Sequence, residues 1–366
     1  MADEYDKDSK QSNTGFDWKS RPSVDQNSPK EEEDSQELFE HHRFIADTGQ
    51  SPLRIDKYLI FKIQNASRNK IQQAAKAGNI LVNNKTVKSN YKVKPTDEIR
   101  VVLTYPPRDT KIIPQDIPLE VVFEDKDLIV INKQAGMVVH PGFGNYDRTL
   151  LNALKYYFNS NNQDADSLLV HRIDKDTSGL MVIAKNELAQ AGLARQFFYH
   201  TIERTYQALV WGDLKVDEGT IEGHIGRNPA NRMQMIVFPN GEQGRSALTH
   251  YKVVKRFGYV TLVQCTLETG RTHQIRAHMR YLGHPLFNDV RYGGDKILKG
   301  TTFTKYKQFV HNCFAIIPRQ ALHAKVLGFE HPINHKTMHF ETDLANDMRD
   351  LVTKWEKYSK HMGEEG

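Results

Sequence analysis

Residues 171–186 read HRIDKDTSGLMVIAKN. The polar side chains of His171, Arg172, Asp174, Lys175, Asp176, Thr177 and Ser178 lead into Gly179 and the apolar run 180–184. This pattern predicts a polar loop, a tight glycine and a buried strand. Polar groups set just before a buried strand are held rigidly, as a site requires. The same spacing suits a charged turn in which Asp174 only caps the strand, and spacing alone leaves both readings open.

Downstream, RTYQALVWG (204–212) reads as a strand. Arg204 and Tyr206 share one face of it; on pattern alone Tyr206 belongs to the core. Farther on, ETGRTHQIRAHMRYLGHPLFNDVRYGG (268–294) packs Arg271, His273, Gln274, Arg276, His278 and Arg280 into ten residues. Such charge density at a helix start calls for an anionic partner, and Arg276 is suited to a charge-assisted pair with a carboxylate. HQIRAH lacks the glutamate base of a zinc protease motif. Upstream, LEVVFEDKDLIVINK (119–133) predicts a hairpin. Helical LLNALKYYF and NELAQAGLARQFFYH alternate irregularly with the strands, which favours an α+β domain over 119–345 rather than a βαβ repeat. Residues 346–366 are expected to form a C-terminal helix and tail.

Residues 51–103 read as a separate small unit. Ser67 suits the N-cap of a helix over SRNKIQQAAKAG, Gly78 its end, and Asn83–Asn84 a hairpin turn. Arg54, Lys57, Arg68, Lys70 and Lys76 make this unit basic. Residues 104–118 hold four prolines and read as a semi-stiff linker. Residues 1–45 are acidic and poor in aliphatics, and are expected to be a disordered tail.

The chain has 366 residues, 39% hydrophobic and 26% charged, with net charge +5. Residues 1–50 carry a net −7 and the rest +12, so a basic body follows an acidic segment and a polyanionic partner is expected. Neither a long apolar run nor a signal-peptide pattern is present, so a cytoplasmic protein without a membrane association is expected. Cys265 and Cys313 lie in apolar surroundings, match no zinc spacing and read as buried thiols.

In order, RIDKYL, SRNKIQQAAKAGNILVNN and YKVKPTDEI resemble the S4 RNA-binding domain over about 50 residues, with Asn84 where that family more often has glycine. Asn tolerates positive φ, so the turn survives. HRIDKDTSGL, RTYQALV, GRTHQIRAH and QALHAKVLGFEHP (320–332) resemble the large family of pseudouridine synthases that modify ribosomal RNA uridines, over roughly residues 51–345. HPGFGNYDRTLLNAL (140–154) and YGG (292–294) narrow the resemblance to members acting on the helix 69 stem-loop of the large subunit.

The resemblance implies a pseudouridine synthase fold: α+β, with a mixed, largely antiparallel central sheet flanked by helices and loops, preceded by a small α/β S4 domain. It implies a catalytic set of Asp174, Tyr206 and Arg276, with Arg172 filling the space of a flipped base and Leu322 lining the pocket. It places Arg54, Lys57, Ser67, Arg68, Lys70, Arg271 and His273 against RNA. The expected partner is large-subunit ribosomal RNA, the expected state a monomer, and no cofactor or metal is expected. The competing readings are a sister synthase with other uridine targets and a non-catalytic ribosome-assembly factor. A pure binder would need none of Asp174, Tyr206 and Arg276.

Overall fold

The chain divides into two units, Met1–Ile112 and Ile113–Gly366. The computed structural model describes residues 39–63, 66–103, 112–142, 144–163, 165 and 167–364. None of the described helices is long and apolar enough to cross a membrane.

The first unit runs β1 (Phe39–Ile45), β2 (Leu53–Arg54), α1 (Ile55–Lys62), α2 (Arg68–Lys76), β3 (Ile80–Val82), β4 (Lys85–Thr86), β5 (Lys92–Val93) and β6 (Glu98–Leu103). One sheet has the order β1-β6-β3-β4, and β2 pairs with β5. The Ser67 hydroxyl accepts the Lys70 N–H at 3.4 Å and caps α2. Gly78, at φ 76°, ends that helix. Asn79 N–H bonds to the Ala74 carbonyl and Gly78 N–H to that of Ala75, as in a Schellman motif. Asn83 and Asn84 have φ of 50° and 64°, as a two-residue hairpin requires.

The tail expected over 1–45 is corrected at its end: residues 39–45 form β1, antiparallel to β6. Aliphatic content missed this because an edge strand is held by its ladder and by cross-strand ion pairs, here Arg43–Glu98 and Arg100–Glu40. Residues 1–38 lie outside the described residues, as does 104–111 of the linker. From Ile113 on, the linker belongs to the second unit: Asn152 Nδ2 donates to the Ile113 carbonyl at 2.8 Å and Gln115 N–H to the Asn152 carbonyl at 3.1 Å.

The second unit runs β7 (Val121–Glu124), β8 (Leu128–Lys133), α3 (Leu150–Ser160), β9 (Leu168–Leu169), β10 (Ser178–Ala184), α4 (Glu187–Phe198), β11 (Glu203–Trp211) and β12 (Glu218–Arg227). It continues with β13 (Met235–Phe238), β14 (Arg245–Arg256), β15 (Val260–Leu267), α5 (Gln274–Tyr281), α6 (Thr304–Ile316), β16 (Leu322–Glu330), β17 (Thr337–Glu341) and α7 (Asn346–Glu364). Its sheet has the order β13-β12-β14-β15-β11-β16-β10-β8-β7, with β17 on β16 and β9 on β10. Among the described residues every pairing is antiparallel except β10 with β16, which pair at Ser178–His323 and Gly179–Ala324. Gly179 is obligatory at this seam: its φ is 114°, and a Cβ there would lie 2.2 Å from the Ala324 carbonyl oxygen. Every residue of β10 is buried, as its sequence predicts.

α7 corrects a second boundary. Met348, Leu351 and Trp355 are buried with Trp211, Phe287 and Val310, so residues 346–364 complete the core of this unit. Read alone the segment looks appended, because its apolar stripe has no visible partner in sequence.

Candidate active site

The seam fixes the site. The 171–177 loop enters β10, Leu322 begins β16, Tyr206 sits on β11 beside β16, and α5 follows β15, the other neighbour of β11. The β11–β16 register shifts between Thr205 and Tyr206, an irregularity of the kind that re-aims a side chain.

The loop is held through its backbone. The Asp174 carbonyl accepts the Thr177 N–H at 3.1 Å. Lys133, 2% exposed at the end of β8, donates from Nζ to the carbonyls of Gln134, Met137 and Lys175 at 2.7, 2.9 and 3.0 Å. Burial pushes this lysine down to about 7. On the other side Arg319 Nη1 donates to the Asp176 carbonyl at 2.9 Å, while Nε and Nη2 pair with Asp347 of α7 at 2.7 and 2.8 Å. Two buried basic side chains therefore pin consecutive carbonyls just after Asp174.

The Asp174 carboxylate faces Arg276, whose Nη1 donates to Oδ2 at 2.9 Å. Arg276 is itself clamped: Nε and Nη2 donate to the buried Asp289 at 2.7 and 2.9 Å. Its guanidinium lies 5.0 Å from the Tyr292 ring centroid. Burial opposes its charge, but the bonds to Asp289 and Asp174 outweigh this and raise its pKa. On the other carboxylate oxygen, His273 Nε2 lies 3.8 Å from Oδ1. His273 precedes α5 in a left-handed conformation, φ 54°, with Nδ1 2.9 Å from the Tyr292 hydroxyl. That hydroxyl also accepts the Met235 N–H at 2.9 Å, which fixes its position beside the His273 ring. Burial lowers the His273 pKa against the opposing pull of Asp174, which keeps the ring neutral.

Tyr206 and Leu322 join Asp174, Arg276 and His273 around a cavity of about 60 Å³. It opens beside a cleft of about 700 Å³ that Arg172, Asp174, His273 and Arg276 also line. Arg172 is exposed between the two. Burial pushes the Tyr206 phenol up to about 12, with Arg204 opposing and Asp174 adding to the shift. Arg271 is half-buried at the same rim, its Nε donating to the Ser246 carbonyl at 2.9 Å. The structure thus brings together Asp174, Tyr206, Arg276, Arg172, Leu322, Arg271 and His273.

The first unit is described by itself. Arg54 and Arg68 converge on one buried carboxylate, Asp56: Arg54 donates Nε and Nη2 at 3.1 and 3.0 Å, and Arg68 donates Nε at 3.1 Å. Gln72 adds a fourth bond at 2.9 Å. These bonds, that of Arg54 first, hold Asp56 well below the usual carboxylate range. Both guanidiniums stay about half exposed while fixed in direction. Lys57 is exposed and Lys70 half-buried, whereas the Ser67 hydroxyl is engaged as the α2 cap.

Sequence reading missed Asp56, Lys133, Asp289 and Arg319. A buried lysine at a strand end reads as a solvated tip, and a lone aspartate in FNDVRYGG reads as a turn residue. Only the excess of unpaired arginine in 268–294 hints at Asp289. Asp125, Asp127 and His331 place ligand atoms within 4.8 Å of one another. Their bonds are already made, however. Asp125 accepts the Asp127 and Leu128 N–H groups and meets His331 Nε2 at 2.9 Å, and Asp127 accepts from Asn186. The cluster is therefore a tied turn.

Comparisons with known proteins place the two units in families. Residues 127–281 match the RNA pseudouridylate synthase family and residues 53–99 the S4 domain. An RNA pseudouridine synthase of Chlorobaculum parvum is 45% identical over 314 residues, 83% of this chain and 94% of that one. The ribosomal large subunit pseudouridine synthase D of Zymomonas mobilis is 40% identical over 307 residues, 81% of this chain and 92% of that one. Among solved structures, human RNA pseudouridylate synthase domain containing 4 superposes with a TM-score of 0.52 at 20% identity, covering 65% of this chain and 93% of that chain, a likeness of fold.

Proposed function

Because the chain belongs to the RNA pseudouridine synthase family, an isomerase class acting on RNA, we propose that it converts uridine to pseudouridine in large-subunit ribosomal RNA, with Asp174 as the reacting carboxylate. The observation that carries the residue assignment is the Arg276–Asp174 pair in a cavity shared with Tyr206 and Leu322. The target class rests on the name of the Zymomonas mobilis relative, and the helix 69 stem-loop on the 140–154 and 292–294 segments.

The reaction breaks the bond from uracil N1 to the ribose, rotates the base and joins C5 to the same sugar carbon. C5 gives up its proton and N1 gains one, so no external group is consumed. A uracil inside a stem-loop must first leave the stack, at a cost of a few kcal/mol. Arg172, exposed at the mouth, fills the vacated place, and the fixed guanidiniums of Arg54 and Arg68, with Lys57 and Lys70, bind phosphates that help offset that cost. Asp174 acts either as nucleophile or in forming a glycal, and both routes need its carboxylate at the ribose. Arg276, held bidentately by Asp289, sets where that carboxylate points. A phenol at about 12 stays protonated at neutral pH, so Tyr206 serves as a stacking platform and hydrogen-bond donor rather than as a resting base.

The test is to map pseudouridines in large-subunit RNA, by carbodiimide labelling and primer extension, from cells with and without this gene. Stops lost on deletion and restored by the gene support the target. Unchanged large-subunit stops, with losses in another RNA, support a sister synthase with other uridine targets.

A further inference from the structure

The loop that carries Asp174 is tied to α7, the helix that starts at Asn346. The tie runs through Arg319, 7% exposed, whose one ion pair among the described residues is with Asp347 in the first turn of α7. The pair is bidentate, Nε to Oδ2 at 2.7 Å and Nη2 to Oδ1 at 2.8 Å, which fixes the plane of the guanidinium. Its other bonds reach both strands of the parallel seam. On the β10 side, Nη1 donates to the Asp176 carbonyl at 2.9 Å and Nη2 to the Ser178 hydroxyl at 3.1 Å. On the β16 side, Nη1 donates at 3.1 Å to the carbonyl of Leu322, which lines the cavity. The Ser178 hydroxyl in turn lies 2.9 Å from His323 Nδ1 across the seam. One guanidinium thus sets the spacing between the loop that carries Asp174 and the strand that begins at Leu322. Asp347 is itself placed by the helix. Its Oδ1 also accepts the Met348 N–H at 2.8 Å, and Met348, Leu351 and Trp355 anchor α7 in the core. Asp347 does not line the cavity around Asp174, so any effect it has on the reaction is indirect.

We propose that Asp347 is a positioning residue for the isomerisation, acting through Arg319 to hold Asp174 and Leu322 at the separation the reacting nucleoside needs. The proposal rests on the synthase reading above and deepens it: the C-terminal helix serves the chemistry as well as the core. The carboxylate is what matters at 347. An asparagine there turns an N–H toward one of the two guanidinium donors, leaves the buried Arg319 without a counterion and frees its plane. Lys133 still holds the Lys175 carbonyl from the other side, so the loop loosens without collapsing. Misplacing a reacting group by a fraction of an ångström acts on the chemical step and leaves RNA affinity alone.

The test uses the full chain and an RNA with a uridine that the wild-type protein isomerises, so its failure is distinct from a failure of the synthase reading. Asp347→Asn is expected to lower the single-turnover rate at saturating protein about tenfold, with the half-saturating concentration within about twofold of wild type. Asp347→Glu restores a carboxylate and is expected to react faster than Asp347→Asn. Leu351→Val trims the packing of the same helix one turn on and serves as the structural control. Its melting temperature is expected to fall, while its rate, measured well below the melt, stays at the wild-type value. Arg319→Lys combined with Asp347→Asn is expected to lose no more than the larger single loss, because the two residues act as a unit. The proposal is overturned if Asp347→Asn reacts at the wild-type rate, if Asp347→Glu is no faster than Asp347→Asn, if Leu351→Val slows as much, or if the two losses multiply in the double variant.

Discussion

Asp174 and Arg276 form a pair whose geometry depends on a third residue, Asp289. Removing one partner of a buried, hydrogen-bonded charge pair leaves the other uncompensated, at about 3–5 kcal/mol. Asp289→Asn keeps the shape but loses the charge, so it is expected to lower both the melting temperature and kcat, the latter by about 10- to 100-fold. Thermal melts and turnover assays on one preparation check this; full activity with lowered stability would confine Asp289 to a structural role. Arg276→Lys keeps a charge but cannot hold Asp289 and Asp174 together, and a fall of similar size in kcat is expected. The spacing of 268–294 announced that Arg276 needs an anion, but not that it needs two. Asp174 supplies one from more than a hundred residues away and Asp289 the other from within the same segment. Sequence periodicity carries no signal for such a pair, because what fixes it is the convergence of β10, α5 and the following loop.

At the scale of elements, the parallel β10–β16 seam is what brings the 171–177 loop to Leu322 and Tyr206. A Cβ on Gly179 meets the backbone of Ala324, which cannot move without parting the strands. Gly179→Ala is therefore expected to cost at least about 3 kcal/mol, or to prevent folding, as measured by denaturant unfolding. In the first unit, Ser67→Ala removes the α2 cap, and a loss of about 1 kcal/mol is expected. Individual strands, caps and the Asn83–Asn84 turn were legible because their causes are local. The parallel pairing was not, since β10 and β16 are some 140 residues apart and nothing in either strand states its partner. β1 and α7 were missed as parts of their units for the same reason, as each is held by what it packs against.

For the whole molecule, histidines held neutral by desolvation shape the response to acid, His171, His278 and His323 among them. Burial lowers His171 to about 3, and His278 and His323 to about 4. These values lie below the unfolded value of about 6.5, so the unfolded chain takes up protons that the folded rings refuse. Stability is therefore greatest above about pH 6.5 and falls as pH drops through about 4 for His278 and His323 and about 3 for His171, by roughly 3 to 5 kcal/mol per ring at most. The melting temperature is expected to hold steady near neutrality and fall across that window; a flat profile would mean that the rings titrate normally. The basic body, legible as a charge asymmetry, resolves here into particular guanidiniums around Asp56 and at Arg172, Arg271 and Arg276. The measurement that bears most directly on the central claim is turnover by Asp174→Asn on RNA that the wild type modifies, read by carbodiimide mapping with binding measured alongside. Unchanged binding with no new pseudouridine is expected, whereas stops formed by the variant at a rate comparable to wild type would contradict the assignment of Asp174.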